Sequence, residues 1–98
     1  MSSEVSVLPF DTDIGYPQKQ RVKIDNVAYT AYYRWNPQDS GFAVLKIQRD
    51  EDSAVVLNSR IAELTPLAVR DPITKIAIYT VYPYMITAEK CEVWVVDR

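Results

Sequence analysis

Hydrophobic and polar positions alternate along most of this chain, and the alternation predicts strands. Arg21-Val22-Lys23-Ile24-Asp25 has period two, the mark of a half-buried strand. Asp25-Asn26 then suits a tight turn, because both side chains tolerate left-handed backbone. Residues 27–35 read as a long strand, with Val27, Tyr29, Ala31, Tyr33 and Trp35 on one face. Ala28, Thr30, Tyr32 and Arg34 take the other. A turn over 36–41 leads to a strand at 42–48. The polar run 49–53 makes another turn before a strand at 54–57. Over 58–72 the spacing predicts a crossover loop with at most one helical turn, because Pro66 interrupts any helix. A β segment at 74–82 ends at Pro83, a loop spans 84–90, and 91–97 is a closing strand. Residues 1–20 are polar and punctuated by Pro9, Gly15 and Pro17. Val5, Val7, Leu8 and Phe10 anchor them as an arm or an edge strand.

Turn signals every eight to twelve residues fit a meander. The expected fold is all-β: a small antiparallel barrel or sandwich of five to six strands with little helix. It is built from residues 21–98, with no internal repeat and no low-complexity segment. At 98 residues and 48% hydrophobic, the chain supports one core.

Charge and cysteine usage narrow the function classes. The formal charge is −2 and eleven Lys and Arg are scattered among thirteen acids, so no basic patch is evident. Nucleic-acid binding and polybasic membrane attachment both need concentrated positive charge, and neither is expected. Cys91 stands alone, which fits a reducing compartment or a structural cysteine inside a strand. The start MSSEVSVLPFDTD has no basic region or long apolar run, so no signal peptide is expected and synthesis is cytoplasmic.

The chemistry of most enzymes is missing. There is no histidine, so Ser/His and Cys/His arrangements cannot form. Two glycines, Gly15 and Gly41, cannot build a phosphate-cradling loop. Asp11-Thr12-Asp13-Ile14-Gly15 resembles the opening of a calcium loop but lacks the third acidic ligand and the closing Glu. Asp50-Glu51-Asp52 reads as a hairpin turn kept soluble by charge. No catalytic residue, cofactor or metal is expected.

The aromatics carry more information. Ile76 and Ile78 lie on one side of the segment 74–82, with Tyr79 and Val81 on the other. Strands apolar on both faces need cover on both, and Tyr, Trp and Arg are enriched at interface centres. Tyr32, Arg34 and Tyr79 are therefore the candidate partner-binding residues. Two other readings stand beside this one. The tyrosines can fill a small core with their polar tips in water, or they can form the site of a free-standing glycan or peptide module.

The run from Arg21 to Tyr29, then Tyr33-Arg34-Trp35-Asn36, Gly41-Phe42, Leu45-Lys46-Ile47, the segment 50–57 and the closing Glu92-Val-Trp-Val-Val-Asp97 resemble the small baseplate plug proteins of tailed phages. The resemblance spans residues 19–97. It implies a non-enzymatic β-barrel in or near the axial channel of a phage or prophage-derived baseplate, located in the virion. It also implies tail-tube or hub proteins as partners, with a homo-oligomer open. On that basis Tyr33 and Trp35 pack inward while Tyr32 and Arg34 face a neighbour.

Overall fold

The computed structural model describes residues 5–24, 26–38 and 41–97. The all-β expectation holds, and the described residues contain no helix. The described residues form eight strands: β1 (Val5–Val7), β2 (Gln18–Ile24), β3 (Val27–Asn36), β4 (Phe42–Arg49), β5 (Val55–Ile61), β6 (Leu67–Arg70), β7 (Ala77–Ile86) and β8 (Cys91–Asp97). They form two antiparallel sheets, β2-β3-β4-β5 and β1-β8-β7-β6. The molecule is a sandwich and not a closed barrel. The expected five to six strands fell short because β1 and β6 have three and four residues, too few to show a period.

Each turn has a local cause. The β2–β3 hairpin closes with Ile24 opposite Val27, and Asn26 takes a φ of 64°; Asp25, its expected partner, lies outside the described residues. Asp39 and Ser40 of the β3–β4 turn are likewise outside them. Gly41 follows that turn at φ 91°, where an added Cβ would sit inside the Trp35 ring. Only glycine fits there.

Two expectations are corrected by the backbone. The crossover loop expected over 58–72 is largely strand: β5 runs on to Ile61, and Leu64 turns the chain at φ 59° into β6. Pro83 does not stop β7, which continues to Ile86. Pairing with β6 ends at Leu67↔Val81, so beyond it that side of β7 has no ladder to lose. A bulge lies just past Pro83, and its carbonyl accepts the Leu64 N–H at 2.7 Å.

One short sequence pattern recurs in the two sheets. Tyr29-Thr30-Ala31-Tyr32 in β3 and Tyr79-Thr80-Val81-Tyr82 in β7 occupy equivalent places, and the burial alternates in almost the same way along both strands. Each is the second strand of its own meander, followed by a hairpin to β4 or β8. Both sheets thus have an inner strand that carries this pattern and leads into a hairpin. Their inward tyrosines, Tyr29 and Tyr79, meet edge to face at 5.8 Å across the core.

Ala31, Leu45 and Ile47 from one sheet and Val69, Val81, Val93 and Val95 from the other complete that core. Burying each larger side chain stabilises the fold by about 1.5–3 kcal/mol. Leu8 joins the core and donates its N–H to Val93 O at 2.8 Å. The Tyr33 hydroxyl donates to Pro9 O at 2.7 Å, fixing residues 8–10 against β3. Cys91 is buried in β8, and burial pushes its thiol up to about 11.

Candidate functional site: the outer face of the β2-β3-β4-β5 sheet

The alternation that sends Tyr29, Ala31 and Tyr33 inward sends Tyr32 and Arg34 outward. Across the sheet, register aligns Lys19, Tyr32, Lys46 and Asn58 in one row. The next row is Arg34, Val44 and Arg60. Between and around these side chains lies an open groove of about 520 Å³. A second depression of about 320 Å³, lined by Lys19, Arg21, Thr30, Tyr32 and Asp50, continues it along the same face.

The charged groups of this face are mostly cations. Lys19, Arg21, Lys23, Arg34, Lys46 and Arg60 all project from this face, more than half of the chain's eleven Lys and Arg. None of the four strands contains an Asp or Glu. The expectation that the basic residues are scattered is therefore overturned. Their spacing in sequence is irregular, but strand pairing collects them. Among the described residues only Arg21 of the six makes an ion pair, with Asp50 at 3.0 Å. Asp50 also accepts from the Thr30 hydroxyl at 2.7 Å, and these two bonds hold its carboxyl below the usual range.

The aromatic rings on this face are engaged by the same cations. Lys46 Nζ lies 5.3 Å from the Tyr32 ring centre, and the Arg60 guanidinium lies 4.3 Å from that of Phe42. Tyr32 donates its hydroxyl to Gln48 Oε1 at 3.3 Å.

Of the three expected partner-binding residues, the structure brings Tyr32 and Arg34 together in the groove and places Tyr79 elsewhere. Tyr79 is 2% exposed, packed on Tyr29 in the core, so it presents nothing to a neighbour. Both faces of its segment are apolar, and hydropathy did not tell inside from outside. Lys19, Lys46, Val44 and Asn58 are not among the expected partner-binding residues, although the alternation of Lys19, Arg21 and Lys23 along β2 is the signal for a basic outer face.

The outer face of the other sheet has a different coat. Where the row through Tyr32 continues to Lys46 and then Asn58, the row through Tyr82 continues to Trp94 and then Val7. Trp94 stacks on Tyr84 at 5.3 Å and donates its Nε1–H to Glu92.

The acidic turns are structural. Asp52 accepts two bonds from Arg49, at 2.9 and 2.7 Å, and Asp71 accepts a third at 3.0 Å. Arg49 thereby joins the β4–β5 turn to the β6–β7 turn of the facing sheet. In the Asp11–Gly15 loop, Asp11 accepts the Asp13 N–H, and the Gln18 amide donates to the carbonyls of Asp11 and Gly15. Among the described residues no group of three or more His, Cys, Asp or Glu could hold a metal ion. Compared with known proteins, the chain matches no family model, no curated protein and no solved structure.

Proposed function

We propose that this chain is a non-enzymatic assembly protein of a phage tail baseplate or prophage-derived tail-like particle, held to tail-tube or hub proteins through the outer face of the β2-β3-β4-β5 sheet. The observation that carries the docking role is the groove in which Tyr32 and Arg34 meet Lys19 and Lys46. Arg and Tyr at the centre of a partly desolvated depression are the residue types from which interface hot spots are made. The tail setting draws its support from the resemblance of the strand sequence to baseplate plug proteins. Peptide mass spectrometry of purified tail-like particles tests it. This chain should be recovered at a fixed ratio to tail-tube protein; a chain abundant in cytosol and missing from intact particles would defeat the proposal.

A second reading is a free-standing glycan or peptide module, favoured by Tyr84 stacked on Trp94 beside the Glu92 carboxylate. Flat rings next to a carboxylate suit a sugar's apolar face and its hydroxyls. A glycan array with Trp94→Ala as control separates the two readings.

A further inference from the structure

We infer that the outer face of the β2-β3-β4-β5 sheet takes an acidic segment of another protein. Lys19, Arg34 and Lys46 would receive its carboxylates around Tyr32, and Arg60 would extend the site to the next row. The inference deepens the docking role proposed above by naming the chemistry of the partner.

Charge placement is the first ground. The chain is net acidic, yet this sheet has six outward cations and no acid within its strands. Lys19, Lys23, Arg34, Lys46 and Arg60 have no ion-pair partner among the described residues. Strands about 4.8 Å apart put Lys19 and Lys46, two strands from each other, at a backbone separation of about 10 Å. Like charges at that range repel by roughly 0.4 kcal/mol in water, so the unoccupied face is tolerable and an incoming anion relieves it. Val44 and the ring of Tyr32 give the floor of the groove apolar area to bury.

The shape of the charge favours an acidic protein segment over nucleic acid. Acids close both ends of the sheet: Asp50-Glu51-Asp52 follow β4, while Asp11 and Asp13 precede β2 and Glu63 follows β5. A phosphate backbone longer than the strands, about 20 Å, would run onto those carboxylates. Base stacking needs open rings. Both aromatic rings of this face already carry a cation, Lys46 on Tyr32 and Arg60 on Phe42. Those cations remain available to a carboxylate approaching from solvent.

Isotope-labelled protein titrated with a short oligoglutamate peptide, and separately with oligothymidylate of similar length, tests the inference. Oligoglutamate should shift amides of β2 to β5 around Lys19, Tyr32, Arg34 and Lys46. Lys46→Glu with Arg34→Glu should weaken it by about tenfold or more. Lys46→Gln with Arg34→Gln should weaken it less while leaving the sheet spectrum intact. Lys90→Glu, a single charge reversal in the exposed β7–β8 turn, should alter affinity less than about twofold. Shifts spread evenly over the surface, an equal loss from Lys90→Glu, or tighter binding of oligothymidylate would each overturn it. Oligoglutamate binding by a chain absent from tail particles would sink the tail setting alone. Presence in particles without such binding would sink this inference alone.

Discussion

Two tyrosine hydroxyls in similar burial make opposite contributions. Tyr33 donates to Pro9 O, whereas Tyr79 Oη is buried with no hydrogen-bond partner among the described residues. Burial raises the hydroxyl pKa of both. Tyr33→Phe should lower stability by about 1 kcal/mol, and Tyr79→Phe should leave it unchanged or raise it by up to about 1 kcal/mol. Urea melts of the two variants check this; equal losses would contradict it. Gly41→Ala should cost about 2 kcal/mol in the same assay, since the new Cβ meets the Trp35 ring at a φ that already disfavours alanine. At this scale the sequence was half legible. Alternation separated Tyr32 from Tyr33 correctly because polar Thr30 and Arg34 mark the outer set. It misplaced Tyr79 because Ile76 and Ile78 opposite it are as apolar as the core.

Among the elements, the long strands were legible from period two and the short ones were not. β6 exists because Leu67 and Val69 pair with Val81 and Tyr79 of β7, a tertiary fact that four residues cannot announce. Pro83 misled for a related reason: whether proline ends a strand depends on which side has a partner to lose. The Arg49 clamp belongs to this scale, since it fastens a turn of one sheet to a turn of the other. Arg49 holds the Asp52 carboxyl down to about 2. The Asp71 carboxyl is also lowered, by the Thr74 N–H first and then by Arg49. A carboxyl with a depressed folded pKa stabilises the fold above its unfolded value, near 3.9, and loses that contribution as pH falls through the folded one. Thermal stability should therefore decline between about pH 4 and about pH 2. Arg49→Gln should be less stable at neutral pH and should show a shallower acid decline. A variant with the parent's slope would show that the clamp is not the source.

For the whole molecule, two antiparallel sheets carry two different coats. Tyr32 and Tyr82 each point outward from an inner strand, the first between Lys19 and Lys46, the second opposite Trp94, which pairs in turn with Val7. Composition concealed this, because a net charge of −2 says nothing of six cations gathered on one sheet while acids fill the turns. A domain so divided is suited to sit between unlike neighbours, which is the assembly role proposed here. The most direct measurement is incorporation of Arg34→Glu/Lys46→Glu protein into tail-like particles made by a strain lacking the native chain. Its ratio to tail-tube protein should fall by about tenfold while circular dichroism of the isolated domain stays unchanged. Incorporation at the parent ratio would contradict docking through this face.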